Sequence, residues 1–597
     1  MSRIIRICLI SEGRRTMLQA LVTYAQQQGL LVQRGYTPKD VRWAIDITVD
    51  GTFLGLIELG NPEQKRNPGI RFNRAPDLAQ NEMIAGGVTR SHFLIGTLSV
   101  VIPLGSEDTL PKNAAKHAYF VELLSEASAV LPSLQAAVTF FNDPQQTALL
   151  VDAARQQNAG MTDKATVRIA GKFPVEDPRW YPWWDAFRGR LTGPNDSSAV
   201  CLVTGRRGPV TLTHPKVTGL SSVGGASTGS VLVSFDKPAF ASYGLVQGAN
   251  AAMLEEVAVG YTQALAQLIS NAPRFGDIKV LHWFAQRLPD HADPFAFLEM
   301  PEERAQQEAQ DEGVRALSAV RLGTPPAAFS GNRFYAVLVS AVSARIMIRG
   351  WYEGTYATLQ HHIAEWFDDI RIVSAEGLLA RTPAFWKILA DLTAEQRDLP
   401  APFVKALWEA AVFLRPIPRQ AVQMALVRIR QSVLGTSTSV PVYAYGVLKA
   451  FLIRQNREGR NMTQALDEER PEAAYHAGRL LAVMGRLQNA ANPGVNSDVV
   501  TRFYNAASTN PALTFGRLNS LSRYHLNKLE SSRLRFWFEG QLAQVMAHIR
   551  DFPTTLTLND QSLFALGYYH QLAYYRSKTH QNSERAEQHD DNTSESL

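Results

Sequence analysis

The segment Trp43-Ala-Ile-Asp-Ile-Thr-Val-Asp-Gly-Thr-Phe-Leu-Gly-Leu-Ile-Glu-Leu59 decides the fold of the first half of the chain. Apolar residues alternate on both sides of Asp50-Gly51, a pair that favours a tight turn between antiparallel strands. The pattern therefore predicts a β-hairpin. Shorter strand-like runs follow at 93–103, 166–169, 200–203, 210–212 and 231–235.

Helical spacing takes over in the second half of the chain. It dominates from about residue 335 to residue 576. In the first half, a helix is predicted to begin at Met17, and helical spacing also occurs at 114–160. We expect an α+β fold: a mixed N-terminal half with antiparallel strands, then a mostly helical region and a C-terminal helical bundle. The predicted segments are an unstructured extension at 1–16 before a natural start at Met17, an α+β domain at 17–325, a helical region at 326–470, a bundle at 471–578 and a disordered acidic tail at 579–597.

Composition limits the class of protein. The chain has 597 residues, 45% of them hydrophobic, which is enough for several domain cores. Two cysteines exclude a disulfide framework, and no apolar run has the length of a membrane helix or the pattern of a signal peptide. These features predict a cytoplasmic protein without a membrane partner.

The charge is unevenly distributed. The formal net charge is +5, but the segment 579–597 carries one arginine and five acids, so residues 1–578 carry +9. A basic body makes an anionic partner, nucleic acid among others, worth testing.

Sequence patterns of several enzyme classes are absent. No glycine loop ends in Gly-Lys-Ser/Thr, since Gly171-Lys172 is followed by Phe173, and neither His-Glu-x-x-His nor Gly-x-Ser-x-Gly occurs. We expect no catalytic residues, no metal site and no cofactor.

The aromatic and basic segment 179–190 has two interpretations. Its tryptophans could stack on bases while its arginines meet phosphates. Alternatively, Trp180, Trp183 and Trp184 pack in a core and Arg179, Arg188 and Arg190 lie at its edge, which is the interpretation we favour.

Two other regions are rich in cations. The segment 61–91 places amide and cationic side chains on a stretch with many Gly, Pro and Asn residues, which indicates an exposed loop. The segment 471–578 carries eleven Lys or Arg residues against six acids. Either set could contact phosphates and bases, and either could be ordinary solvated charge.

Several strings together resemble one known family, the large subunit of the type I-C CRISPR Cascade surveillance complex. They extend over roughly residues 17–576 and are least alignable at 61–91. The strings are Cys201-Leu-Val-Thr-Gly, His214-Pro-Lys-Val-Thr-Gly, Ser234-Phe-Asp-Lys-Pro-Ala-Phe-Ala-Ser-Tyr-Gly-Leu-Val-Gln-Gly-Ala-Asn250, Arg345-Ile-Met-Ile-Arg-Gly-Trp-Tyr-Glu-Gly, Ala364-Glu-Trp-Phe, Tyr475-His-Ala-Gly-Arg-Leu-Leu-Ala-Val, Phe503-Tyr-Asn-Ala-Ala-Ser-Thr-Asn-Pro-Ala and Phe564-Ala-Leu-Gly-Tyr-Tyr-His-Gln.

The resemblance implies a non-enzymatic subunit of a complex guided by crRNA. Such a subunit reads the protospacer-adjacent motif (PAM) in duplex DNA, helps to open the duplex into an R-loop and holds the displaced strand. The implied partners are target double-stranded DNA, the crRNA-bound backbone subunits, a small subunit and a separate helicase–nuclease.

Candidate residues follow from composition combined with this resemblance. For contacts to the DNA motif they are Lys65, Arg66, Asn67, Arg71, Asn73, Arg74, Gly86, Gly87, Thr89 and Arg90, with Asn67 and Asn73 at base edges. For contacts to the DNA backbone they are Arg479, Arg486, Arg502, Arg517, Arg523, Lys528, Arg533 and Arg535. The residues Ser234, Phe235, Phe240, Ser242, Tyr243 and Asn250 are interpreted as mainly fold-determining, although Asn250 could instead contact a backbone subunit or DNA.

An internal start is a further expectation. The resemblance implies that the bundle is also made as a separate small subunit, and Met462 is preferred over Met484, which lies inside a predicted helix. Two other classes remain open: a free-standing nuclease or nucleotide-dependent enzyme, and an RNA-binding helical scaffold.

Overall fold

The structure is a computed structural model. It describes residues 15–31, 35–61, 67–78, 82–83, 88–102, 109–192, 198–289, 292–299, 329–395, 399–436, 439–455, 462–494 and 498–594. Helix accounts for 53% and strand for 16%, so the predicted α+β class is confirmed.

The chain divides into two compact units. The first takes in the described residues of Met1–Ser221, Gly225–Ser270 and Ser343–Ile346, and the second those of Ser222–Gly224, Asn271–Val342 and Met347–Leu597. Each unit has its own hydrophobic core.

The first unit is mixed. Its elements are α1 (Met17–Gln27), β1 (Tyr36–Val41), β2 (Trp43–Ile47), β3 (Phe53–Glu58), β4 (Ile70–Pro76), β5 (Ile95–Thr97), α2 (Leu98–Val101), α3 (Leu110–Ser128), α4 (Leu134–Asn142), α5 (Pro144–Gln156), β6 (Lys164–Ile169), α6 (Tyr181–Thr192), β7 (Ser198–Val200), β8 (Arg207–Pro209) and α7 (Glu255–Asn271). Short 3₁₀ turns lie at 174–176, 178–180, 238–240, 242–244 and 247–251.

Helix α1 has a capping box just before its first residue. Thr16 Oγ1 accepts a hydrogen bond from Gln19 N, and the Gln19 side chain accepts one from Thr16 N. A chain that started at Met17 would lack this cap. The expectations for residues 1–14 lie outside the described residues.

The hairpin predicted at 43–59 forms. Strands β2 and β3 pair antiparallel, and β2 also pairs in parallel with β6, giving a four-stranded sheet in the order β3-β2-β6-β5. Gly51 in the turn has a φ of +89°, and a Cβ there would lie 2.8 Å from the carbonyl oxygen of Ala136. Only glycine suits this close approach of the turn to helix α4.

The long strand predicted at 93–103 is largely wrong. Strand β5 covers three residues, and the chain then turns into the short helix α2. Leu98 and Val101 are buried among residues of the unit's core. A short run of apolar residues does not by itself distinguish a strand from a buried helical turn, and here tertiary packing decided.

The aromatic side chains of the segment 179–190 pack in the core of the first unit, as favoured from the sequence. Trp180 and Trp184 are fully buried, and their indole nitrogens donate to the carbonyl oxygens of Pro174 (3.1 Å) and Gly35 (2.8 Å). Phe93 stacks on Trp184 with ring centroids 5.5 Å apart. Stacking of these two tryptophans on bases is therefore excluded.

The second unit is mainly helical. Its elements are β9 (Arg274–Phe275), β10 (Ile278–Phe284), α8 (Pro294–Glu299), β11 (Arg333–Val342), β12 (Arg345–Thr355), α9 (Tyr356–Ile370), α10 (Phe385–Leu392), α11 (Ala401–Phe413), α12 (Arg419–Val433), α13 (Val442–Gln455), α14 (Ala473–Ala491), α15 (Val499–Ala507), α16 (Pro511–Lys528), α17 (Ser532–Met546) and α18 (Leu558–Ser594).

The sequence analysis missed the sheet of this unit. Its strand order is β12-β11-β10-β9, so residues 333–355 are strands in a region for which helices are predicted. Strand β11 is buried along most of its length. A strand buried on both faces loses the alternation that marks strands in a sequence.

One hydrophobic core links residues that the sequence analysis assigned to three segments. It extends from Phe275 on β9 to Tyr575 on α18. The predicted boundaries at 325 and 470 therefore do not coincide with the two units. Helix α18 continues to Ser594, so most of the acidic segment 579–597 is helical where disorder is predicted.

Helix α14 is the centre of the C-terminal bundle. It packs against α15, α16, α17 and α18. At its crossing with α18 the backbones nearly touch, because a Cβ on Gly478 would lie 2.0 Å from the Phe564 carbonyl oxygen and one on Gly567 would lie 2.0 Å from that of Tyr475. Across the described residues, no helix is both long enough and apolar enough to span a bilayer.

Candidate nucleic-acid interface

The residues predicted to contact a DNA motif surround a two-stranded ribbon. Lys65, Arg66, Gly86 and Gly87 lie outside the described residues, and the other six are described. Strand β4 pairs antiparallel with β1, from Tyr36 opposite Pro76 to Val41 opposite Ile70. Arg71, Asn73 and Arg74 therefore lie on a strand, which corrects the expectation of a loop over this stretch.

Asn67 holds the turn that leads into β4. Its Nδ2 donates to the Leu59 carbonyl oxygen (2.8 Å) and to Glu58 Oε1 (3.1 Å), while its Oδ1 accepts from Gly69 N (3.0 Å). Both amide hydrogens are thus used within the chain. This corrects the expectation that Asn67 offers donors to a base edge.

Arg71 and Asn73 fit a nucleic-acid contact best. Both are exposed on one face of β4, whereas Phe72 between them is buried. Arg71 Nη1 lies 3.6 Å from Asp40 Oδ1 in a pair whose side chains are each nearly half exposed. Such an exposed pair contributes little stability and yields readily to a phosphate or a base. Arg71, Asn73 and Pro38 border an open cavity of about 430 Å³.

Arg74 is held by aromatic rings. Its guanidinium carbon lies 3.9 Å from the ring centroid of Tyr181 and 4.6 Å from that of Tyr36. Burial raises the pKa of Tyr36, and its hydroxyl donates to Asp185 Oδ1 at 3.1 Å. Arg74 therefore stabilises the packing of β4 on α6, which corrects its predicted role in a DNA groove.

Thr89 and Arg90 also differ in their exposure to solvent. Thr89 is exposed. The Arg90 side chain is half-buried: its Nη1 donates to the Glu82 carbonyl oxygen at 3.2 Å, and its guanidinium lies 5.9 Å from the Tyr119 ring. Among the described candidates, Arg71, Asn73 and Thr89 are thus the ones that present polar groups to solvent.

A buried ion network near this ribbon was missed by the sequence analysis. Arg188 Nη2 donates to Glu82 Oε1 at 2.7 Å and to Glu255 Oε1 at 3.1 Å. Burial disfavours the Arg188 charge, but Glu255 and Glu82 outweigh this effect and raise its pKa. Arg188 is therefore a buried structural cation, neither a phosphate contact nor an edge residue. Three residues so far apart in sequence offer no pattern that could reveal the contact.

Arg479 in the C-terminal bundle is buried. Its side chain is 1% exposed, its Nε donates to Gln571 Oε1 at 2.9 Å, and its Nη1 lies 3.1 Å from His476 Nδ1. The expectation that Arg479 contacts the DNA backbone is therefore wrong. Its position in the middle of α14, the most buried helix of the bundle, explains the error, because charge counts do not reveal which face of a helix is covered.

Arg486 and Arg535, which were also predicted to contact the DNA backbone, make contacts within the bundle. The Arg486 guanidinium carbon lies 4.3 Å from the Tyr575 ring centroid. Arg535 Nη2 donates to the carbonyl oxygens of Leu529 (3.3 Å) and Asn527 (3.4 Å), at the C-terminal end of α16. These contacts explain why cations occur at these positions without a nucleic-acid partner.

The remaining candidate cations are exposed, and two of the helices that carry them also expose aromatic rings. Arg502 lies on α15, while Arg517, Arg523 and Lys528 lie on α16 and Arg533 on α17. On α16 and α17, Tyr524 is 60% exposed and Phe536 is 78% exposed. We call the exposed side chains of α16 and α17 the basic-aromatic face. Cations beside exposed rings are typical of surfaces that bind unpaired nucleic acid by phosphate contacts and base stacking.

The strings near the C-terminus that suggested the family meet in the structure. Tyr475 and Gly478 on α14 pack on Phe564 and Gly567 of α18. Tyr475 Oη and His570 Nδ1 lie 2.9 Å apart. Burial lowers the pKa of His570 to about 3, so its ring is neutral at neutral pH. These strings are structural.

The string 234–250 is more exposed to solvent than the strings near the C-terminus. Phe235 and Ser234 are half-buried, but Phe240 and Tyr243 are exposed, and Ser242 belongs to a 3₁₀ turn. Asn250 Nδ2 donates to the carbonyl oxygens of Gln247 (3.1 Å) and Leu245 (3.4 Å). Asn250 thus binds the backbone of its own turn, the Phe240 ring lies 5.9 Å from that of Phe235, and the Tyr243 ring is fully exposed.

Within the described part of the chain, no three His, Cys, Asp or Glu side chains form a group that would hold a metal ion. Comparison with known proteins identifies the class and the family. The class is that of the CRISPR-associated proteins. Residues 19–575 match the model of the family described as CRISPR-associated protein (Cas_Csd1), and the chain belongs to this family. No protein of curated function matches the chain.

Proposed function

We propose that this protein is the non-catalytic large subunit of a crRNA-guided type I-C Cascade complex in antiviral defence. In this role it recognises a protospacer-adjacent motif in duplex DNA, promotes unwinding and R-loop formation, and holds the displaced strand. Its partners are the crRNA-bound backbone subunits, the small subunit and a helicase–nuclease recruited after target binding. Membership of a CRISPR-associated family over nearly the whole chain supports the general assignment.

The observation that carries the strand-holding role is the basic-aromatic face. Arg517, Arg523 and Arg533 are exposed on the same two helices as Tyr524 and Phe536, whose rings are largely exposed. Exposed rings of this size are costly in water, and each stacked base contributes about 1–3 kcal/mol to binding of a single strand. A displaced strand fits such a surface, since it has both phosphates and unpaired bases.

The exposed edge of β4 supports motif reading. Arginine forms paired hydrogen bonds with the O6 and N7 atoms of guanine, and asparagine does so with the N6 and N7 atoms of adenine. Arg71 and Asn73 project on the same face of one strand, about two residues apart, so they reach neighbouring base pairs. Thr89 is exposed and adds a hydroxyl.

The test is a binding series with the assembled complex. The duplexes share one target and differ only in the motif that flanks it. We expect affinity to depend on the flanking bases and the Arg71→Ala variant to lose part of that dependence. Equal affinity for all flanking sequences would overturn motif reading, and cleavage of DNA by the purified chain with a divalent metal would overturn the non-catalytic assignment.

The structure also bears on the proposed internal start. Met484 lies in the middle of α14, so a product that began there would lack Tyr475 and Gly478, which form the crossing with α18. A product that began at Met462 would keep all five helices from α14 to α18. This supports Met462 over Met484 as the proposed internal start, and mass spectrometry of the purified complex for a C-terminal fragment tests it.

A further inference from the structure

The segment 236–247, which we call the signature loop, presents apolar side chains to solvent. Tyr243 is fully exposed, and Phe240, Leu245 and Val246 are each more than one third exposed. Single exposed apolar residues are common on protein surfaces. Four of them within seven residues form a cluster of the kind that marks an interaction site.

The loop is anchored at both of its ends. At the start, Arg345 Nη2 donates to Asp236 Oδ1 at 2.7 Å. At the end, Gly248 N donates to the Leu212 carbonyl oxygen at 2.8 Å, and a Cβ on Gly248 would lie 2.4 Å from the Thr211 carbonyl oxygen. Both ends of the loop are thus attached to the body of the unit, which limits the conformational entropy that the loop loses when a partner binds.

The backbone of the tip is strained. Tyr243 has a φ of +57° and Gln247 a φ of +47°, in the left-handed region that residues with side chains rarely adopt. The Tyr243 ring is fully exposed and makes no packing contact that compensates for this conformation. Strain of this kind persists mainly at functional sites. The strained and exposed tip is therefore a candidate contact site for another molecule.

The charge of the loop indicates the class of partner. Asp236 and Lys237 are its only charged residues, so its net charge is zero, and Asp236 is paired with Arg345. Binding to nucleic acid draws on several cations that neutralise phosphates. The centre of a protein–protein interface is instead depleted of charge and enriched in aromatic residues. The loop has the second composition.

A cavity of about 570 Å³ lies beside the loop in the same unit. Phe235, Gln247 and His214 are among its lining residues. His214 is buried, and burial lowers its pKa to about 4, so the ring is neutral. Its Nδ1 lies 2.6 Å from Tyr261 Oη.

The carboxylates of this cavity are already paired. Asp77 Oδ1 lies 2.9 Å from Lys39 Nζ, and Glu255 Oε1 lies 3.1 Å from Arg188 Nη2. The cavity walls therefore carry no strong excess of positive or negative charge. A projecting ring next to a cavity whose carboxylates are paired suits a protein surface that offers a pocket and a side chain in return.

We infer that the signature loop is a protein-docking element through which this chain attaches to a crRNA-bound backbone subunit of its ribonucleoprotein complex. Tyr243 inserts into an apolar pocket of that subunit, and Phe240, Leu245 and Val246 surround it. This inference rests on the proposed function, because it requires the chain to act within such a complex.

The test measures how the full-length chain joins the complex. The fluorescently labelled chain is titrated into an assembly of crRNA and backbone subunits that lacks it. We expect Tyr243→Ala to weaken association about tenfold or more, and Tyr243→Phe to bind as wild type. Leu54→Ala, which truncates another exposed apolar residue of the same unit, is the matched control and should change nothing. Melting temperatures should be equal, since Tyr243 makes no packing contact.

The outcomes separate the inference from the proposed function. A wild-type chain that fails to join the assembly overturns the proposed function and this inference with it. A wild-type chain that joins while Tyr243→Ala joins equally well overturns the inference alone. The loop also loses its assigned role if Tyr243→Ala leaves assembly intact but weakens DNA binding with a steep salt dependence, because that result identifies a nucleic-acid contact.

Discussion

Arg479 Nε donates a hydrogen bond to Gln571 Oε1 at 2.9 Å, and both side chains are sealed inside the C-terminal bundle. The two residues belong to different strings of the family resemblance, 92 positions apart. Their contact shows that these strings mark a packed helix crossing. A cation expected to face DNA is instead part of the core of the bundle.

Substitution of Arg479 should therefore destabilise the protein. Arg479→Met leaves Gln571 without its donor and Glu468 without the cation 3.4 Å away, and loss of a buried polar partner costs about 1–3 kcal/mol. We expect a lower unfolding midpoint in urea. Arg533→Gln, an exposed change in the same bundle, should leave the midpoint unchanged. Equal midpoints for both variants would show that the buried contact contributes nothing.

The crossing of α14 and α18 should not tolerate a side chain at Gly567. The Cβ of Gly567→Ala would lie 2.0 Å from the Tyr475 carbonyl oxygen, so the helices must move apart. We expect a loss of about 1–3 kcal/mol or more, as for overpacking a core, measured by thermal unfolding. Gly540→Ala is the control, since a Cβ there meets nothing within 4 Å and alanine favours helix by up to about 1 kcal/mol. A stable Gly567→Ala protein would contradict the packing described.

The stability of the protein should fall in mild acid because of His570. Its pKa is lowered by burial to about 3 in the folded protein, against an ordinary value of about 6.5 for an unfolded histidine. The unfolded chain therefore binds the proton first, and stability is lost as pH falls from about 6.5 towards 3. The unfolding midpoint should drop less steeply over this range for His570→Gln than for wild type. Parallel curves would mean that His570 does not contribute.

Neutralising the basic-aromatic face should change the salt dependence of DNA binding. Each cation that no longer meets a phosphate of a single strand reduces the slope of log K against log salt by about 0.7. For Arg517→Gln, Arg523→Gln and Arg533→Gln combined we expect a reduction of about 2 and an unchanged preference among flanking motifs. The exposed Arg155→Gln in the first unit is the control. An unaltered slope would show that the basic-aromatic face does not contact the DNA.

The edge of β4 should control motif preference separately. Arg71→Ala and Asn73→Ala are each expected to cost about 1–3 kcal/mol on the preferred motif and less on other motifs. Arg74→Ala should instead lower the melting temperature, because its guanidinium stacks on Tyr181 and Tyr36. Competition binding with duplexes that differ at one flanking base measures the preference. A uniform loss on every duplex would assign Arg71 and Asn73 to phosphates.

The sequence predicts the secondary structure correctly where local pattern and tertiary packing agree. The hairpin around Asp50-Gly51 and the α+β class follow from periodicity and turn chemistry. Strand β11 was missed because a strand buried on both faces lacks alternation. The ribbon that carries Arg71 was missed because Gly, Pro and Asn mark exposure and turns, while its pairing with β1 is set by residues some 30 positions away.

The sequence predicts which segments are rich in cations but not which of their side chains are exposed. Charge counts locate the cation-rich segments, but they do not reveal that Arg479 is buried and Arg535 half-buried while Arg517 is exposed. The contacts of Arg74 with Tyr36 and Tyr181 join three separate elements. Such long-range contacts leave no local pattern in one sequence, and the exposed tip at Tyr243 was likewise hidden within a string interpreted as structural.

The most direct test of the central claim measures DNA opening by the assembled complex. The fluorescent base 2-aminopurine is placed in the displaced strand next to the motif, and its signal is followed with and without this chain. We predict that fluorescence rises only when the chain is present and only on duplexes with the preferred motif. Equal opening by a complex that lacks the chain would contradict the assignment as the motif-reading large subunit.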